Sequence, residues 1–271
     1  MQRIALLIIL LYSVVGAQTE TDIIQAVGQG HIDWGKMLIV ATGVGRSDYD
    51  VSPAQHRLSA LRNARSDASG RVIGILRELC LTSGLTIGEA MQKSPQIENQ
   101  IRELAADLTI RNLPRMLPDS SVQITAELPL TEKLLEIVRP AIASQAELAG
   151  EHPKADISSK PDSSISELII DIRGLGCGFA LYPGIFAEDG TEIYGMLIAV
   201  SKTGTAVGNA RYVAAHSIDV HWAANPIIKG IKSTGKNHCD IVISNSDAQM
   251  LILNTEFSSL LKRGKVILLV E

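Results

Sequence analysis

Apolar and polar residues along this chain alternate in runs that predict both helices and strands. The opening is the most apolar stretch. Met1-Gln2-Arg3 gives a short basic start, and Ile4 to Val15 is apolar or small except for Tyr12 and Ser13. A helix of about twelve residues rises only ~18 Å, too short for a hydrocarbon core of ~30 Å. Val15 and Ala17 hold the −3 and −1 positions of a cleavage site before Gln18. The layout is that of a secretory signal peptide cut between Ala17 and Gln18, and it places the mature chain in the periplasm or outside the cell.

Residues 18–30 read as a loose lead-in. Lys36 to Gly45 is an apolar run ending in glycines and predicts a buried strand. Ala54, Leu58, Leu61, Ala68, Val72, Ile75 and Leu79 then recur at helical steps. Pro53 suits a first helical position and Ser52 a cap. Gly70 and Gly74 weaken that helix, or let another backbone come close. Thr86 and Glu89 have capping-box spacing, and Ser94-Pro95 signals another helix start. Ile97, Ile101, Leu104 and Leu108 line one face of that helix. Val122, Ile124, Ala126 and Leu128 alternate with polar residues, which predicts a half-buried strand. Helical spacing returns from Thr131 to Val138 and is expected to stop at Pro140.

Between Ser144 and Ser166 the apolar period is lost, and Ser, Pro, Asp, Glu and Lys dominate. This reads as an interdomain linker over 144–166. Leu168 to Ile172, Glu192 to Leu197, Ile218 to Trp222, Asp240 to Ile243 and Val266 to Val270 follow as strands. Between the last two, Ser246 is expected to cap one helix. Its stripe would be Met250, Leu253, Phe257 and Leu260, and Gly264 would be its left-handed stop. Strand, helix and strand together predict a parallel βαβ unit. The expected fold class is α+β or α/β. It has two small domains, residues 30–143 and 167–271, each a mixed sheet packed by helices, with the βαβ unit in the second.

Composition narrows the chemistry. Removal of 17 residues leaves 254, enough to bury a core without staples. The net charge of −4 disfavours a phosphate-backbone binder. With three Phe, two Trp and five Tyr, base stacking has little to work with. Nucleic acid is therefore not an expected partner. No later run is long enough to span a bilayer, so no transmembrane segment is expected after the leader. The three cysteines, at 80, 177 and 239, allow at most one internal bridge. If a bridge forms, Cys177 and Cys239 are the favoured pair because they share one half; otherwise all three are free, and Cys80 reads as core.

Catalytic signatures are weak. Gly174-Leu175-Gly176-Cys177-Gly178 follows a strand, but its spacing is GxGxG and Pro183-Gly184 comes next instead of a helix. Arg173 ends an apolar strand just before these glycines. It either receives a ligand carboxylate or pairs with an Asp or Glu of the chain. Arg173, Gly174 and Gly176 are thus the candidate ligand-binding residues. His216, Asp219 and His221, with His238-Cys239, form weak clusters that fall short of a metal-ligand set. No serine sits in a GxSxG elbow. Neither a metal nor a cofactor is expected, and no catalytic residue is assigned. Arg57, Arg62, Arg65 and Arg71 with Asp67 and Glu78 read as a solvated face or a protein interface.

Residues 33–45 (DWGKMLIVATGVG), the Ala/Arg/Ser-dense helix that follows and the strand segment VQITAELPL at 122–130 carry a resemblance. Over roughly residues 30–140 the chain resembles the twenty-kilodalton membrane-associated lipoprotein family of bacterial envelopes, which includes flagellar outer-membrane disk and ring components. The resemblance implies a sheet packed by helices, an envelope location, no enzyme activity, and self-association or assembly with envelope proteins. This chain lacks the lipid-bearing cysteine of many members. The second half, through Asp171 to Gly176, Pro183, Glu188 to Gly190 and Tyr194-Gly195, resembles uncharacterised secreted bacterial proteins. The combined expectation is an exported, non-enzymatic envelope protein with an assembly role, linked to the outer membrane or flagellar apparatus. The alternative is a periplasmic small-ligand-binding module built on the second half.

Overall fold

In the computed structural model the described residues are 23–48, 52, 55–148, 165–195, 210–215 and 225–271. They form two large sheets, a two-stranded hairpin and helices, an α+β fold of two domains. The leader, its cleavage site at Ala17 and Gln18, most of the linker, the Ile218 to Trp222 segment and His216, Asp219 and His221 lie outside the described residues.

The first sheet is antiparallel throughout. Its strands are β1 (Ile24–Val27), β2 (Gly30–Asp33), β3 (Leu38–Gly45), β6 (Thr109–Ile110), β7 (Arg115–Met116) and β8 (Val122–Pro129). The order is β1-β2-β3-β8-β6, with β7 also on β8. The expected lead-in is in part a hairpin: β1 pairs with β2 from Ile24↔Asp33 to Val27↔Gly30. Each strand is only four residues long, too short for an apolar period to stand out. Strand β8 has the expected alternation, with Val122, Ile124, Ala126 and Leu128 buried.

Helix α1 (His56–Glu78) lies on this sheet and buries Ala60, Ala64, Ala68, Val72, Ile75 and Leu76. Small residues on both sides set how closely they pack. A Cβ on Gly43 would stand 2.1 Å from the Ala64 carbonyl oxygen, and one on Gly45 would stand 2.0 Å from the Ala64 nitrogen. The glycines that permit close approach are therefore in β3, not in the helix. Around Gly70 and Gly74 an added Cβ meets nothing within 4 Å. The cap also differs from expectation: Gln55 is the N-cap residue and makes no side-chain capping bond, while the Ser52 carbonyl accepts from the Gln55 N–H at 2.8 Å. Asp67 links helix to sheet by accepting from the Val44 N–H at 2.8 Å while pairing with Arg71.

A short hairpin, β4 (Cys80–Thr82) with β5 (Leu85–Thr86), leads into α2 (Ile87–Lys93) and α3 (Pro95–Ala106). Both helix starts follow the sequence signals. Thr86 and Glu89 form a reciprocal capping box, and the Ser94 hydroxyl accepts from the Ile97 N–H. Helix α4 (Glu132–Leu148) runs through Pro140 into the stretch read as linker. Pro140 and Glu136 both face outward. The carbonyl that Pro140 leaves without an N–H partner thus lies on the solvent side, where water can satisfy it.

The second sheet mixes directions. Its strands are β9 (Leu168–Asp171), β10 (Ile185–Ala187), β11 (Glu192–Tyr194), β12 (Arg211–Ala214), β13 (Ile227–Thr234), β14 (Asp240–Ile243) and β15 (Val266–Val270). The order is β11-β10-β14-β13-β9-β15-β12. Strands β13, β9, β15 and β12 are mutually parallel. The expected βαβ pairing of Asp240–Ile243 with Val266–Val270 does not occur, because β13 and β9 stand between them and β14 runs antiparallel to β13. Parallel pairing comes instead from strands distant in sequence.

The connection between β14 and β15 is two helices, not one. Ser244, rather than Ser246, caps α5 (Asn245–Leu253), and Asn254 caps α6 (Thr255–Lys262). The break turns Met250 and Leu253 out of the expected stripe. They are 40% and 72% exposed, while Ala248, Leu251, Phe257, Leu260 and Leu261 are buried. Gly264, with φ +65°, ends α6 as expected.

The halves share one continuous buried core. The Leu181 N–H donates to the Cys80 carbonyl at 2.9 Å, and the Tyr182 N–H to the Leu81 carbonyl at 2.7 Å. The Asn237 N–H reaches the Ser83 carbonyl at 3.2 Å. Lys236 pairs with Glu89 at 2.7 Å, and that hydrogen bond holds the Glu89 carboxyl below its ordinary range. Trp34, from the turn after β2, stacks on Phe179 at 5.4 Å between centroids and meets Tyr212 edge-on at 5.3 Å. Three of the chain's few aromatic rings therefore close this junction.

Candidate functional site

The strand that ends at Asp171 delivers Ile172, Arg173 and Gly174 to the carboxyl end of the second sheet. Strands β15 and β12, parallel to β9, deliver Val270, Glu271 and Ala214 to the same end. There the described residues line an open cleft of about 340 Å³. Ile23 and Ile24 of the first half form another part of its wall, with Gly176, Cys177 and Phe179. Clefts at the carboxyl ends of parallel strands are common ligand positions, because a crevice opens where the connections after adjacent strands leave toward opposite faces of the sheet.

All three sequence-predicted binding residues, Arg173, Gly174 and Gly176, line this cleft. The two glycines adopt φ +74° and +60° and turn the chain sharply. The guanidinium of Arg173 is taken by its own chain. Its Nε and Nη2 donate to the two Asp171 carboxylate oxygens at 2.8 and 2.7 Å. That pairing holds Asp171 below its ordinary range and raises Arg173. The Gly174 N–H donates to the Glu271 carboxylate at 3.2 Å. Of the two roles open to Arg173, the one present here is an internal fork-to-fork ion pair. A ligand carboxylate would have to displace Asp171.

Ile23, Phe179 and Glu271 were not legible as lining residues, since nothing in sequence joins them to Arg173. The rest of the lining is largely apolar, and the Cys177 thiol is pushed up by burial. Deeper in, the Tyr212 hydroxyl donates to the Ala180 carbonyl and accepts from the Ala180 N–H, both at 3.0 Å, and burial raises it well above the ordinary phenol range. Its hydrogen bonding is consumed in fixing backbone.

The remaining sequence candidates disperse. His238 stands in a left-handed turn (φ +52°), where its carbonyl accepts from the Gly178 N–H at 2.9 Å. Among the described residues no group of three or more His, Cys, Asp or Glu is placed to hold a metal ion. On α1, Arg71 pairs with Asp67, and Arg65 donates to the Leu108 carbonyl at 3.1 Å. The thiol that meets Cys239 is that of Cys80, not of Cys177, and all three cysteines are free. Among the described residues no helix is long and apolar enough to cross a membrane.

A family model described as Treponema pallidum Tp0624, second domain, matches residues 167–271. The second half of the chain, with its cleft-forming strands, is thus similar to a domain of a Treponema pallidum protein. No curated protein matches the chain.

Proposed function

We propose that this chain is an exported, non-enzymatic protein of a bacterial envelope that works by assembly with other envelope proteins or with itself. The observation that carries the reading is the internal saturation of the strand-end cleft. Asp171 and Glu271 occupy the Arg173 guanidinium and the Gly174 N–H, so the charged group aimed at that end of the sheet is committed to structure. Catalysis asks for the reverse, titratable groups converging with capacity to spare. Away from the cleft, Met250, Ile252 and Leu253 crowd the last turn of α5 at 40%, 52% and 72% exposure. Apolar side chains grouped on a surface favour protein contact. The leader and the first-half resemblance support the envelope location, and the similarity of residues 167–271 to a Treponema pallidum domain agrees with a bacterial setting. The outer-membrane or flagellar link belongs to the same proposal.

Affinity purification of the full chain from cross-linked native cells tests this. The expected result is co-purification of envelope proteins or of further copies of the chain, reduced at least several-fold by Leu253→Glu with Met250→Glu. A monomer recovered alone would overturn it.

A second reading rests on the cleft itself. Its position at the ends of three parallel strands suits a small ligand, and displacement of Asp171 would free Arg173 for a carboxylate. Thermal-shift screening of small carboxylic acids against the full chain and Arg173→Ala separates the readings. A stabilisation present only with Arg173 would favour the binding module.

A further inference from the structure

Cys80 and Cys239 stand 159 positions apart, one in each half, yet their thiols hydrogen-bond to one another. Backbone holds them there. Cys80 opens β4, where its carbonyl accepts from the Leu181 N–H at 2.9 Å and the chain makes a parallel bridge to Ala180. Cys239 is 1% exposed and immediately precedes β14. Its Sγ lies 3.1 Å from the Asn237 carbonyl oxygen and 3.5 Å from that of Phe179. Gly178 leaves room for it, since a Cβ there would stand 3.0 Å from that sulfur. Two thiols in contact, one on β4, which is tied to the second half at Ala180 and Leu181, and one at the start of β14, need only a small approach to reach bonding geometry.

We infer that Cys80 and Cys239 form a reversible disulfide that joins the two halves covalently, with Cys177 left as the free thiol. The oxidant is a small-molecule or protein disulfide. The partly exposed Cys80 attacks first as a thiolate and forms a mixed disulfide, releasing one thiol. Cys239 then loses its proton and attacks the Cys80 sulfur, releasing the second thiol. Two protein thiols thereby give up two electrons and two protons, and the external disulfide becomes two thiols. The order of attack fits the local electrostatics. The hydrogen bond from Cys239 holds the Cys80 thiol below its ordinary range, and the same contact with burial pushes Cys239 up. The inference is independent of the assembly reading, since the bond can form wherever an oxidising disulfide is present.

The test uses the purified full chain equilibrated with oxidised glutathione, alkylated, digested without reduction and mapped by mass spectrometry. The expected product is a peptide bearing Cys80 linked to one bearing Cys239, with Cys177 alkylated. Tm should rise by roughly 10 °C over the reduced protein, because the bond closes a long loop. Cys80→Ser and Cys239→Ser should each abolish the dithiothreitol-sensitive rise, and Cys177→Ser should retain it. Recovery of Cys80 and Cys239 both alkylated, or linkage of Cys177 to Cys239, would overturn the inference. The mapping needs no variant, so a serine variant that fails to fold does not remove the test.

Discussion

Replacing Trp34 with alanine should destabilise both halves together. The indole is 1% exposed, donates its N–H to the Gln25 side chain at 2.8 Å, and contacts Phe179 and Tyr212 of the other half. A buried indole removes about 200 Å² from water, worth ~5 kcal/mol at ~25 cal/mol per Å². Alanine recovers a small part of this, and the cavity left behind adds to the loss. The expected cost is about 4 kcal/mol, within the range for aromatic-to-alanine changes in cores. The stacked pair with Phe179 contributes about 1 kcal/mol beyond area. A double-mutant cycle of Trp34→Ala with Phe179→Leu, read by urea denaturation with circular dichroism, should therefore give a coupling of about 1 kcal/mol. A loss below about 1 kcal/mol for Trp34→Ala, or strict additivity with Phe179→Leu, would refute the claim that these rings join the halves.

Glycines in β3 and α1 should respond oppositely. Gly45→Ala drives a Cβ into the Ala64 backbone and should cost about 3 kcal/mol in chemical denaturation. Gly70→Ala and Gly74→Ala, in open helix positions, should each stabilise by about 1 kcal/mol. Acid should weaken the junction through Glu89. Lys236 holds its folded-state carboxyl below the ordinary value, so the pair's contribution is complete above the unfolded carboxylate pKa of about 4.3. It is lost as pH falls through the folded value. Tm measured from pH 7 to pH 3 should show a small deficit for Glu89→Gln that closes as the wild type protonates; a deficit constant with pH would contradict this.

What the sequence revealed follows the range of the interactions involved. Thr86 with Glu89 and Ser94 with Pro95 act within one turn, and both helix starts stand where those residues predict. The alternation from Val122 to Leu128 works the same way, through one strand and one face. Strand order depends on partners far apart in sequence, and here local logic misled: β14 and β15 flank a helical connection yet have two strands between them. The apolar spacing from Met250 to Leu260 mimicked one continuous stripe, whereas the chain breaks into two helices at Asn254. In the site, Arg173, Gly174 and Gly176 were legible because a charged residue and glycines ending an apolar strand break its pattern. Phe179, Glu271 and the meeting of Cys80 with Cys239 were not, since only the tertiary fold brings them together.

The proposal that this chain leaves the cytoplasm and joins an envelope assembly is tested most directly in its own host. Fractionated cells, gently cross-linked and probed for the chain, should yield it in the envelope fraction, beginning at Gln18 and in a complex larger than one copy. Recovery from the cytoplasm as a monomer with Met1 intact would contradict the account.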